Sequence, residues 1–218
     1  MKIARSTVEI SPVIGRVTVE SFQPDQPIAV MTLAHGAGAS MDHSFMVNLA
    51  CALEDLNILV VRFNFPFTEA GKKRPDLPAV AEQTIAAMIN YVHDTFPRLP
   101  LFVSGKSFGG RMTSQLLSKA RFPFVKGLIF YGFPLHPAGK PSVVRATHLP
   151  LIQAPMLFLQ GTRDALAELS LLELALEELS GATLIKFEGA DHAFKVARTN
   201  IIPNLANESA AWIKRVLD

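Results

Sequence analysis

The feature that most constrains the fold of this chain is an alternation. Short, nearly continuous apolar runs at residues 28–33, 57–63, 101–103, 125–131 and 156–160 are separated by longer segments with helical periodicity. A strand exposed on one face alternates apolar and polar residues, whereas a continuous run fits a strand of a parallel sheet covered on both faces. Residues 183–187 supply a last strand, and Arg16-Val17-Thr18-Val19-Glu20 alternates like a half-exposed edge strand. Within residues 80–96, Ile85, Met88, Ile89, Val92 and Phe96 share one helical face. Leu169, Leu172, Leu176 and Leu179 do the same within 166–180, which Gly181 would close as a C-cap. Asp42 can cap a helix through Glu54, and a final helix at 207–217 carries the only tryptophan, Trp212. The pattern predicts an α/β fold with a mostly parallel central sheet and helices on both faces, formed by a single domain over residues 1–218.

Composition removes several other classes. With 49% hydrophobic residues and a net charge of +2, the chain has the apolar content that a disordered segment lacks. One cysteine, Cys51, excludes a disulfide framework and suits a reducing compartment; Cys51 and the methionines read as core packing. No apolar run approaches the ~18 residues a membrane span needs. Lys2, Arg5, Glu9 and Arg16 interrupt the N-terminal segment, which therefore does not read as a secretory signal. Lysines and arginines are scattered rather than gathered into a basic stripe. The expectation is a cytoplasmic protein with no nucleic-acid or membrane partner. No metal-ligand spacing is present, so neither a metal nor a cofactor is expected.

Ligand sites in parallel sheets lie beyond the carboxyl ends of the strands, so polar residues just after each run matter most. After the run at 101–103 comes Gly105-Lys106-Ser107-Phe108-Gly109, a G-x-S-x-G sequence between a strand and a helix. The turn it makes is so tight that side chains two positions either side of the serine would collide with the neighbouring strand and helix. It presents the serine hydroxyl at a helix N-terminus, where the dipole favours developing negative charge. Two other readings of Ser107 compete. A phosphate-binding loop G-x-x-x-x-G-K-[ST] would need glycine where Pro100 stands, and a flexible loop where 101–103 reads as strand. A purely structural N-cap serine leaves the flanking glycines unexplained.

A serine nucleophile needs a histidine base and an orienting carboxylate. In hydrolases built on this turn, the acid and then the histidine follow the serine along the chain. Asp164 directly follows the strand at 156–160, and His192 lies in the loop after 183–187. Serine, acid and histidine thus occur in the required order, each after a separate strand. Asp191 competes as the acid, but sequence neighbours point apart, and it reads as a loop-stabilising residue. His136 and His148 fall in a proline-rich connection and read as surface residues, while His93 lies on the exposed side of its helix. An oxyanion needs backbone N–H donors. Phe108 follows the serine, and the small-residue segment Ala34-His35-Gly36-Ala37-Gly38 follows the strand at 28–33. Ala37 N–H and Phe108 N–H are the expected pair. The same segment does not fit G-x-G-x-x-G, which argues against a dinucleotide site. His35 reads as a brace for this loop that could also touch substrate, and His43 as lining the entrance.

These residues resemble the α/β-hydrolase superfamily across nearly the whole chain, and within it the dienelactone-hydrolase-like group. A small branch typified by testis-expressed and chromatin-complex α/β-hydrolase-like domains is the most similar. The resemblance rests on Leu33-Ala34-His35-Gly36-Ala37-Gly38, Arg62-Phe63-Asn64-Phe65-Pro66-Phe67, residues 105–110, Gly161-Thr162-Arg163-Asp164 and Asp191-His192-Ala193-Phe194. It implies an α/β-hydrolase fold with Ser107 as nucleophile, Asp164 as acid and His192 as base. Dienelactone hydrolases proper use a cysteine nucleophile, so Ser107 argues against a dienelactone substrate.

The substrate is less constrained. Phe65 and Phe67, with Lys72, Lys73 and Arg74, could form an aromatic wall with a cationic rim, or simply a solvated loop. Lys106 could add positive potential beside Ser107 or point to solvent. The connection 132–154 is short and broken by Pro134, Pro137, Pro141 and Pro150, which leaves room for a flap but no large lid. The expected activity is that of a serine hydrolase cleaving small-molecule carboxylic esters or thioesters through an acyl-enzyme. The alternative is a non-catalytic binding or scaffold module on the same fold. No protein partner is identified.

Overall fold

The computed structural model describes residues 2–197 and 199–218. Eight strands form one sheet: β1 (Lys2–Ser11), β2 (Gly15–Gln23), β3 (Ala29–Ala34), β4 (Ile58–Phe63), β5 (Leu101–Lys106), β6 (Val125–Tyr131), β7 (Met156–Gly161) and β8 (Ala182–Phe187). Their order across the sheet is β1-β2-β4-β3-β5-β6-β7-β8. β1 and β2 pair antiparallel, as do β2 and β4, while every pairing from β4 to β8 is parallel.

The continuous apolar runs become inner strands because successive side chains face opposite layers and both layers are covered. In β6, Leu128 and Phe130 join the core on one face, and Ile129 and Tyr131 join the core on the other. The first face is covered by α3 (Pro78–Thr95), α4 (Phe108–Leu117) and α5 (Leu169–Leu176). The second is covered by α1 (Ser44–Glu54) and α6 (Ile202–Leu217), which bring Met46, Leu49, Trp212 and Ile213 onto it. A large apolar side chain buried in either layer contributes about 1.5–3 kcal/mol.

Several boundaries differ from the sequence reading. Residues 16–20 do not lie at the edge, because β1 pairs outside β2. β1 is exposed over most of its length, so it carries no burial pattern that a sequence could show. The cap of α1 is His43, whose ring nitrogen accepts the Phe45 N–H, and not Asp42. α5 stops at Leu176, short of Gly181, and α6 begins at Ile202, earlier than residue 207. The connection after β6 forms two single 3₁₀ turns, Val144–Ala146 and Leu149–Leu151, and no large lid.

The topology positions the site. After β3 the chain passes to α1 on one face, and after the adjacent β5 it passes to α4 on the other. Neighbouring parallel strands whose connections part to opposite faces open a crevice at their carboxyl ends.

Candidate active site

Ser107 follows β5 directly and opens α4 with φ 50°. Holding a residue other than glycine in this left-handed region costs on the order of 1–3 kcal/mol, so the surroundings must enforce it. Its N–H donates to the Tyr131 carbonyl at 3.3 Å, and its carbonyl accepts from Arg111 N–H at 3.0 Å. A Cβ on Gly105 would lie 2.3 Å from the Gly110 nitrogen, and one on Gly109 would lie 2.5 Å from the Ala34 carbonyl oxygen. Strand, turn and helix therefore approach closer than any side chain permits. Because β5 extends to Lys106, no loop precedes that lysine and the phosphate-loop reading fails. The N-cap reading fails as well, since the Ser107 side chain makes no capping hydrogen bond.

The hydroxyl points to a histidine instead. Ser107 Oγ lies 2.8 Å from His192 Nε2, and His192 Nδ1 lies 2.7 Å from Asp164 Oδ2. With Nδ1–H donated to the carboxylate, Nε2 is left with a lone pair facing the serine. The Asp164 side chain is fully buried. A carboxylate is acceptor-only, and two further donors converge on this one: Gln160 Nε2 at 2.6 Å and Leu166 N–H at 2.8 Å. Gln160 is held in turn by accepting the Phe133 N–H at 2.9 Å. Asp191 turns away from the ring, and its Oδ1 accepts the Ala193 and Lys195 amides at 2.8 and 2.9 Å. Ser107, Asp164 and His192 come from the ends of β5, β7 and β8.

The loop after β3 lies against this turn, with a Cβ on Gly36 placed 3.8 Å from Ser107 Cβ. Among the described residues, neither the Ala37 nor the Phe108 N–H has a protein partner. Beneath them, Phe65, Phe67 and Phe108 pack edge-on or stacked at centroid separations of 5.4–6.2 Å. This corrects the wall expected from Phe65 and Phe67. Both rings are buried under the loop and neither lines the cleft. The cause is α2 (Pro66–Glu69), a single turn whose start turns both rings inward. His35 is likewise fully buried and touches no open space. Its Nδ1 donates to the Gly36 carbonyl at 2.8 Å, while Nε2 accepts from Phe65 N–H at 3.1 Å and Thr68 Oγ1 at 3.2 Å. Burial lowers its pKa to about 4, so it is neutral near pH 7 and braces the loop.

The cleft above these groups has a volume of about 290 Å³. Ser107 and His192 form its floor, the loop 36–39 one side, and His43, Phe45, Met46 and Leu166 much of the rest. His43 thus stands at the opening, whereas Lys72, Lys73 and Arg74 do not line it. Lys106 does line it, yet its ammonium is turned onto the His192 backbone carbonyl instead of toward solvent. His136 is buried, contrary to the surface expectation: Nδ1 donates to the Pro137 carbonyl at 2.9 Å and Nε2 accepts from Glu168 N–H at 2.8 Å. His148 is half-buried on Ser114 Oγ at 2.8 Å, and His93 stacks on Phe124 at 3.8 Å. Sequence reasoning missed Gln160 and Phe45. A polar residue ending the otherwise apolar run at 156–160 was the available signal for Gln160.

Comparison with known proteins agrees with this architecture. A family model described as an alpha/beta hydrolase domain matches residues 27–214. A dienelactone hydrolase from Anabaena variabilis is similar in structure with a TM-score of 0.80 at 17% identity, over 98% of this chain and 97% of that one. An α/β serine hydrolase without a lid from Xanthomonas campestris gives a TM-score of 0.76 at 23% identity, over 99% and 95%. An esterase domain from a Rhodothermus marinus protein gives 0.76 at 17% identity, over 99% of both chains.

Proposed function

The chain belongs to the α/β-hydrolase family, and from that premise we propose that it is a serine hydrolase, cleaving small carboxylic esters or thioesters through an acyl-enzyme. The observation that carries the reading is the pair of hydrogen bonds linking Ser107 to His192 and His192 to Asp164, 2.8 and 2.7 Å long.

In this reading His192 Nε2 takes the hydroxyl proton as Ser107 Oγ attacks the acyl carbon. The negative charge that develops on the acyl oxygen is held by the Phe108 and Ala37 amides, neither of which has a partner among the described residues. Asp164 stabilises the imidazolium across Nδ1–H. His192 then protonates the leaving alcohol or thiol, and water, deprotonated by the same nitrogen, releases the acyl group. The cleft of about 290 Å³ favours a short acyl chain lying against Phe45, Met46 and Leu166. Lys72 to Arg74 stand outside its lining, and Lys106 is already engaged, which favours uncharged over anionic acyl groups.

The test is intact mass after incubation with a fluorophosphonate, on wild type and Ser107→Ala. One phosphonyl adduct on wild type alone is the expected result. No adduct on folded wild type would sink the reading and favour a binding module.

A further inference from the structure

Lys106 closes β5 and immediately precedes Ser107. Its ammonium donates to the backbone carbonyl of His192. It lies beside a stacked pair of aromatic rings, with Nζ 5.7 Å from the Phe45 centroid and 5.1 Å from that of Phe194, within cation–π range. Bare backbone forms another wall: a Cβ on Gly132 would lie 3.0 Å from Nζ and 3.6 Å from His192 Cε1. The loop it meets holds two non-glycine residues at positive φ, Phe194 at 59° and Ala197 at 42°. A loop in that state needs external ties to keep its shape.

We infer that Lys106 is a positioning residue, which ties the base-bearing loop to the residue next to the nucleophile and so fixes the separation of His192 from Ser107. The inference rests on the hydrolase reading above. The hydrogen bond between Ser107 and His192 cannot do this alone. Once Ser107 is acylated its oxygen has no proton to donate, and that bond is gone until water attacks. The bond from Lys106 to the His192 carbonyl involves no reacting atom and persists through the whole cycle. Losing it therefore misplaces the base in both acylation and deacylation, which acts on kcat rather than KM.

The charge on Lys106 provides a second handle. Burial lowers its pKa to about 8, while Asp164 and Asp191 pull it upward. The carboxylates acting on it are Asp164 after β7 and Asp191 after β8; His192 lies beside it after β8, and His43 at the start of α1 lines the same cleft. Lys106 is charged below about pH 8, and raising the pH through that value turns a charge-assisted hydrogen bond into a weaker neutral one.

The test compares wild type with Lys106→Met and Lys106→Gln. It measures kcat and KM on an activated acetate ester across this pH range, and amide hydrogen exchange over residues 190–197. The expected result for Lys106→Met is a kcat about 10–100-fold lower, with KM within about twofold, as loss of one charge-assisted hydrogen bond predicts. Wild-type kcat should decline as pH rises through about 8, and the Met variant should lack that decline. Lys106→Gln keeps a donor and should recover part of kcat, which a space-filling role would not give. Should the Met variant not fold, the Gln variant carries the same readouts with a smaller loss. A wild-type kcat in Lys106→Met, or a loss confined to KM, overturns the inference, the latter making Lys106 a substrate contact. If wild type neither turns over esters nor takes the phosphonate, the hydrolase reading fails separately. Faster exchange at 190–197 in the Met variant then still supports the tie, and unchanged exchange overturns it.

Discussion

Two clefts open at opposite ends of the same sheet, and the larger is not the one that holds Ser107. At the amino ends of β6 and β7, segments 117–126 and 151–155 enclose about 400 Å³. At the carboxyl ends, the cleft over Ser107 encloses about 290 Å³. In the first, two of the three lining cations are engaged on the surface. Lys119 pairs with Glu82 at 2.7 Å and Arg121 donates to Gln153 at 2.6 Å. None of its residues is among the non-glycine residues at positive φ, whereas Ser107 is. In the second, a strained serine, an imidazole and a buried carboxylate converge from three strand ends. Among the described residues the first amide of α4 has no partner, as is usual at the start of a helix. Parallel strands make this asymmetry general, because their carboxyl ends lead toward helix N-termini and their amino ends receive helix C-termini. Volume reports where elements stop, and reactivity reports where the backbone is held away from its preferred geometry.

The contrast can be tested as stability. The largest effect should come from acid acting on His35. The unfolded chain protonates this residue below about pH 6.5, but the folded chain resists until about 4. Stability should therefore fall as pH drops through that window, by about 3 kcal/mol in all at about 1.4 kcal/mol per unit. Urea unfolding of wild type and His35→Gln between pH 7 and 5 would read it; equal acid sensitivity of the two would refute it. Next is Gln160→Leu, which orphans the Phe133 N–H and removes a donor from Asp164. It should cost about 1–3 kcal/mol and lower ester turnover as well, and a variant with wild-type midpoint and rate would show the link to be idle. The smallest effect belongs to the other end of the sheet. Arg121→Ala should change stability by less than about 0.5 kcal/mol and leave turnover untouched, and a clear loss of activity would erase the distinction between the clefts.

The same contrast explains what could be read from the chain. Inner strands were legible because burial on both faces writes a continuous apolar run, as at Ile58–Phe63. β1 was not, since its side chains face solvent over most of its length and its register is dictated by β2 alone. The start of α6 was obscured because Pro203 occupies its first turn, a position proline favours but which reads as a break in isolation. Within the site, a rule about strand ends picked out Ser107, Asp164 and His192, and those three side chains meet. Gln160 escaped because a polar residue closing a strand looks the same whether it faces water or a carboxylate. Phe65 and Phe67 were placed correctly after β4, but the one-turn helix that folds them under His35 leaves no periodicity to detect. The direction of Lys106 depended on a loop 86 residues further along the chain.

The order in which the site's parts occur in the chain also bears on synthesis. The His192 imidazole that contacts Ser107 lies 85 residues downstream of it. During translation the serine emerges first, as an ordinary alcohol with no imidazole to take its proton. It gains its partner only after β8 has been made and has joined the edge of the sheet, next to β7. On the serine-hydrolase reading, an incomplete chain thus carries Ser107 in a harmless form, and labelling by an activated ester would count only molecules whose last strand is in place.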